Sequence, residues 1–239
     1  MKTIFIEILY KPLYNILVWL IDVLPHADIG FAVIILTVFV KIILLPLSKQ
    51  AIKTQLLMKD LETPLKEIRE KNKDNPQELA QQTLALYREK GVNPFASIFL
   101  VFIQIPVIIA LYFVFARAGL PNINSGLLYS FVSFPESIQT TFLGFIDLVS
   151  NKSYIIAFLV LITQSIQIRF SLPKQTINEG QTEFAQEFMK GLHFQMKYIL
   201  PIITATASYG LISVVGLYWI VGNIFSIFQE LYFRKTLKK

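Results

Sequence analysis

Apolar positions along this chain come in long blocks. Residues 29–47 (IGFAVIILTVFVKIILLPL), 95–116 (FASIFLVFIQIPVIIALYFVFA) and 154–170 (YIIAFLVLITQSIQIRF) are almost uninterrupted runs. As helices rising about 1.5 Å per residue, runs of this length suit about 30 Å of hydrocarbon. The apolar stretch 198–233 is too long for one span and is read as two, with the turn at Ser208, Tyr209 and Gly210. Pro106 is expected to kink the second span.

The segments between the spans follow other patterns. Residues 48–93 hold nine basic and seven acidic side chains and belong in water. Glu62 with Lys66 and Glu67 with Lys71 have the helical i,i+4 order with the acid first. Leu57, Leu61, Leu65 and Ile68 form a seam at spacings of 4, 4 and 3. Asn75, Pro76 and Glu78 read as the start of a second helix, which carries Leu79, Thr83 and Leu86 and stops at Gly91. This predicts an antiparallel helical hairpin, with Pro64 bending its first arm.

Residues 3–25 place Glu7, Lys11, Asn15 and Asp22 on one stripe, as in a helix lying in a membrane interface with Ile6, Leu9, Leu13, Leu17 and Trp19 in lipid. The alternative is an uncleaved signal-anchor helix. In the loop 117–153, the short runs LLYSFVSF and TFLGFIDL are expected at the outer interface, with Tyr129, Phe131, Phe142 and Phe145 at headgroup level. The predicted fold class is thus an all-α integral membrane protein, one domain over 1–239. It has five transmembrane helices, an outer interfacial helix and a cytoplasmic helical hairpin.

Charge orients this layout. The segments 48–93 and 171–197, with Arg169 just before the latter, and the basic tail 234–239 carry seventeen Lys and Arg, against four on the opposite side. Basic loops stay in the cytoplasm, so the amino terminus is expected outside and the carboxyl terminus inside. The whole chain of 239 residues is 54% hydrophobic and 16% charged, with mean hydropathy +0.55 and net charge +6. A soluble domain averages about 25% charged residues. The basic excess therefore reads as membrane topology, with no direct nucleic-acid function.

The chemistry available is narrow. There are no cysteines and only two histidines, His26 and His193, and no HExxH, P-loop or GxGxxG spacing. No metal, cofactor or catalysis is expected, and the protein is not read as an enzyme. Asp28 and Glu230 lie near span ends, so no carboxylate sits deep enough for a proton-coupled carrier.

What stands out is Lys41 in the first span, about 9 Å of helix from its cytoplasmic end. Thr37, Lys41 and Ser48 share one helical face. Polar residues recur in other spans: Gln104 in the second, Gln164 and Gln167 in the third, and Trp219, Asn223, Ser226 and Glu230 at spacings of 4, 3 and 4 in the fifth. Singly, each residue is ordinary interhelical glue, and Lys41 can snorkel. Together they suggest a hydrated groove open to cytoplasm and lipid.

The chain resembles the YidC family of membrane protein insertases. The resemblance rests on IILTVFVKIILLPLSKQ at 34–50, YREKGVNPFASIFLVFIQIPVIIALY at 87–112 and LYWIVGNIFSIFQELYFRK at 217–235, in that order around the charged hairpin. It implies a groove that receives the polar tail of a nascent membrane protein while the apolar segment moves into lipid. Bacterial relatives usually carry an arginine where this chain has Lys41; lysine keeps the charge without the bidentate fork. The implied groove set is Lys41, Thr37, Gln104, Gln164, Gln167, Trp219, Asn223 and Ser226.

The implied setting is a prokaryotic plasma (inner) membrane. The implied partners are nascent membrane proteins, membrane lipids, the ribosome, targeting factors and the Sec translocon. The short basic tail and the absence of a large outer domain and of a lipobox cysteine depart from many relatives. The alternative function is a translocon-associated assembly chaperone that binds transmembrane helices without inserting them alone.

Overall fold

A computed structural model describes residues 5–24, 28–73, 75–92, 96–116, 120, 122–150, 152–172, 187, 190–191 and 193–237, with the side chains of residues 96–104 and 116 outside the description. The helices are α1 (Lys11–Val23), α2 (Ile29–Ile43), α3 (Leu45–Asp60), α4 (Glu62–Lys71), α5 (Pro76–Glu89), α6 (Ala96–Ala116), α7 (Tyr154–Ser171), α8 (Leu200–Gly210) and α9 (Ser213–Leu237). Among the described residues, α7 and α9 are each long and apolar enough to cross a membrane, and α2 with α3 qualifies as a pair bent by 59°. The described part of α6, Ile105–Phe115, is apolar. Most of the predicted cytoplasmic loop 171–197 lies outside the described residues, as do Lys238 and Lys239 of the tail.

Prolines set the helix breaks. A proline has no N–H for the carbonyl four residues back, and its ring crowds that carbonyl. Pro46 therefore ends α2 at Ile43, short of the expected Leu47, and Leu44 turns the chain into α3. Pro64 acts in the same way: α3 stops at Asp60, Leu61 leaves regular geometry, and α4 begins at Glu62. Before Pro12 and Pro201 the chain instead widens into single π-helical turns, Ile6–Tyr10 and Gln195–Ile199, which move the crowded carbonyl aside.

α4 and α5 pack against each other around Leu61, Leu65 and Val92, with Leu57, Met58, Leu86 and Tyr87 at the margin. The Asn75 side chain accepts from the Glu78 N–H at the start of α5, and Gly91 has φ +62° just after its end. α8 ends at Gly210 and Leu211 is extended, so the turn into α9 lies just past the predicted Ser208–Gly210.

The main core joins α1, α2, α6, α7 and α9. Close approach of α9 to α7 depends on Gly216, where a Cβ would overlap Cγ2 of the buried Ile156. The face of α1 differs from the expectation. Leu13 and Leu17 are buried in the core with Tyr14, Val18 and Ile21, while Trp19, Ile8 and Val23 are exposed. The stripe of polar residues did not decide the orientation, because Asn15 is itself buried against the loop that contains Leu127 and Tyr129.

There, the Asn15 amide donates to the Lys11 and Leu127 carbonyls and its oxygen accepts from the Tyr129 N–H. Phe142, expected at headgroup level, is buried instead. It belongs to a two-stranded hairpin, β1 (Thr141–Phe142) and β2 (Ile146–Asp147), and is buried against Phe31 of α2. Phe131 and Phe145 are exposed.

Candidate functional site

Lys41 occupies the last turn of α2 and is half-buried. Its Nζ donates to Ser226 Oγ of α9 at 3.2 Å, and the Ser226 hydroxyl in turn donates to the Gly222 carbonyl at 2.8 Å. Gly222 leaves room for this approach, since a Cβ there would lie 3.2 Å from Lys41 Cε and 3.7 Å from Nζ, tight enough to press on the lysine. An ammonium has three N–H donors. Among the described residues Lys41 has this one hydrogen bond and no ion pair with a carboxylate.

The other expected residues fall around this contact in different ways. Asn223 is buried, and its amide donates to Thr163 Oγ1 of α7 at 3.2 Å, so α9 is tied to α2 and α7 at adjacent positions. Thr37 is fully buried with its hydroxyl turned to the Val33 carbonyl, and it presents no surface in this conformation. Gln167 donates to Ser171 Oγ on its own helix, and Gln164 is half-buried. Trp219 packs its ring on the core. The side chain of Gln104 lies outside the described residues.

Apolar side chains flank the polar contact. Phe39, Ile42 and Ile43 of α2, Ile162 and Ile166 of α7, and Ile224 and Phe228 of α9 are all exposed. A surface that shows so many large apolar groups suits contact with lipid or with another apolar surface. The arrangement offers point-charge attraction and hydrogen bonding to an anionic group.

Two features were not anticipated. Gly222 has no signature in sequence beyond its place one helical turn before Ser226. The other is a cluster at the far end of α9, where the buried Glu230 accepts from Arg234 Nε at 2.6 Å and Arg234 reaches Gln55 of α3 at 3.4 Å. The sequence pattern places Arg234 in the basic tail, whereas α9 continues to Leu237 and sets Glu230 and Arg234 one turn apart on it.

Comparison with known proteins adds to this geometry. A family model described as "60Kd inner membrane protein" matches residues 19–239. The membrane protein insertase YidC of Oceanobacillus iheyensis is 28% identical over 212 residues, covering 87% of this chain and 75% of its own length. That of Cupriavidus metallidurans is 31% identical over 238 residues, covering 98% of this chain and 37% of its own. Membrane protein insertase YidC 2 of Listeria innocua is 27% identical over 231 residues, with 95% and 71% covered. The chain thus spans about three quarters of the Oceanobacillus relative and little more than a third of the Cupriavidus one.

Proposed function

The chain belongs to the 60Kd inner membrane protein family, that of the YidC insertases, and from this we propose that it inserts nascent membrane proteins into the lipid bilayer without ATP. The observation that carries the reading is the half-buried Lys41 ammonium, held on Ser226 with N–H groups to spare and bordered by exposed apolar side chains. A substrate's acidic or polar outer segment enters a hydrated groove beside Lys41. There Ser226, Asn223, Gln104, Gln164 and Gln167 replace part of its hydration, while Thr37 and Trp219 support the wall. The barrier falls because the polar segment crosses less hydrocarbon. The driving force is burial of the substrate's apolar helix, worth about 25 cal/mol per Å². A negative segment leaving toward a positive exterior gains about 2.3 kcal/mol per charge per 100 mV.

In this reading the protein has five spans in a bacterial plasma membrane, with the amino terminus outside and the carboxyl terminus and the α4–α5 pair in the cytoplasm. The α4–α5 pair is then the surface offered to the ribosome, to targeting factors or to the Sec translocon. The test is reconstitution of the purified protein into liposomes with a single-span substrate that has an acidic outer tail, in the absence of nucleotide. Protease protection of the tail above empty liposomes is expected. Binding of the substrate without protection would replace the insertase by an assembly chaperone that needs a translocon.

A further inference from the structure

We propose that the base of α3 binds the phosphate of an anionic phospholipid headgroup. A cavity of about 270 Å³ lies there, lined by Pro46, Lys49, Gln50, Lys53, Thr54 and Leu57 of α3 and closed by Gly91 after α5. The α3 residues recur at helical spacings and so form one face. The charge in this lining is all positive, and two lysines one turn apart repel each other unless an anion lies between them. Lys49 is held at the wall, with its ammonium 6.0 Å from the centre of the Phe233 ring.

Thr54 supplies an independent observation. It is 5% exposed, lines the cavity, and has no side-chain hydrogen bond among the described residues. Other hydroxyls in these helices turn back to a carbonyl four residues earlier, as in Thr37, Ser48 and Thr163. The Thr54 hydroxyl is thus left for a ligand that accepts a hydrogen bond, and phosphate oxygens do.

Size and place select the source of the phosphate. The volume falls below the roughly 300–1,000 Å³ of drug-sized sites, which suits one headgroup rather than a folded partner. The cavity follows directly on the 59° bend that ends α2, next to the exposed Ile42 and Ile43. This step rests on the reading that α2 spans the membrane and ends at the cytoplasmic leaflet, whose anionic lipids attract juxtamembrane lysines. A lipid in this cavity holds α3, and the α4–α5 pair beyond it, to the leaflet.

The test titrates the full chain in neutral detergent with short-chain phosphatidylglycerol, followed by native mass spectrometry. The double variant Lys49→Gln/Lys53→Gln is expected to weaken binding at least tenfold and Thr54→Val severalfold. The control Lys59→Gln/Lys73→Gln binds like the wild type, and phosphatidylcholine of the same chain length binds at least tenfold more weakly. Thermal melting confirms that each variant is folded. Equal weakening in the control, or equal affinity for phosphatidylcholine, overturns the site. Inorganic phosphate binding as tightly as the lipid assigns the cavity to a free anion, and displacement of the lipid by an RNA oligonucleotide at lower concentration assigns it to nucleic acid; both overturn the lipid proposal. The assay involves no insertion step, so its failure and the failure of the insertase reading are separable.

Discussion

Asn15 in α1 and Lys41 in α2 are both polar side chains set among apolar ones, yet their hydrogen bonding differs. The Asn15 amide uses both N–H groups on carbonyls and its oxygen on the Tyr129 N–H, and it is 3% exposed. Nothing in it remains for a ligand. Lys41 uses one donor of three among the described residues and stays half-buried. A polar group whose bonds are all made within the protein fixes structure, because removing it orphans its partners. One that keeps spare donors beside an exposed apolar surface is available to something that comes and goes. The region around α1 is therefore read as a scaffold and the α2–α9 contact as the proposed working surface.

Charge reversal should break this contrast most strongly. With Lys41→Glu, protection of acidic-tailed substrates in liposomes is expected to fall to the level of empty liposomes, since attraction becomes repulsion. Lys41→Ala gives a partial defect confined to charged tails, and both variants keep a melting temperature near that of the wild type. Full insertion by Lys41→Glu would remove the electrostatic part of the mechanism.

The opposite pattern is expected at Asn15. Asn15→Leu keeps about the same size but leaves the Tyr129 N–H and the Leu127 carbonyl without their partner. Each buried group so orphaned costs about 1–3 kcal/mol. Thermal melting should drop, and protease should cut more readily at residues 122–130, while insertion per folded molecule at low temperature is retained. An Asn15→Leu protein as stable as the wild type would show that the contacts of α1 with residues 127 and 129 are not structural.

The two regions were also unequally legible in the sequence. The long apolar runs placed α7 within one residue at each end, because length and hydropathy are local properties. Asn75 and Gly91 marked the limits of α5 for the same reason. The face of α1 was misread. A stripe of polar residues at helical spacing marks water in a surface helix, but Asn15 meets backbone groups over a hundred residues away in sequence. The β1–β2 hairpin escaped notice because its strands have two residues each and its turn places Leu143 at φ +53°, where a leucine is rare. Lys41 could be singled out because an ammonium in an apolar run is anomalous by itself, whereas its partner Gly222 matters only through what lies opposite it. Pro46 carried a readable signal, the same as Pro64, and the uninterrupted apolar run up to Leu47 hid it.

The finest test of the α1 region uses Tyr14. This residue is fully buried, and its hydroxyl oxygen accepts from the Asn124 N–H at 2.8 Å. Burial raises its pKa above the ordinary value near 10, with the Asn124 hydrogen bond working in the other direction. The folded protein therefore favours the neutral phenol. Its contribution is fully present below pH 10, the unfolded value, and is lost as pH rises from there through the folded pKa. Tyr14→Phe gives up the hydrogen bond, about 0.5–1.5 kcal/mol, so it should melt slightly lower at pH 8. It should also lose less stability than the wild type between pH 10 and 11, because no phenolate has to form in the core at that position. Parallel alkaline profiles for the two proteins would mean that the region around α1 admits water to Tyr14, and would narrow the difference between the scaffold and the working surface.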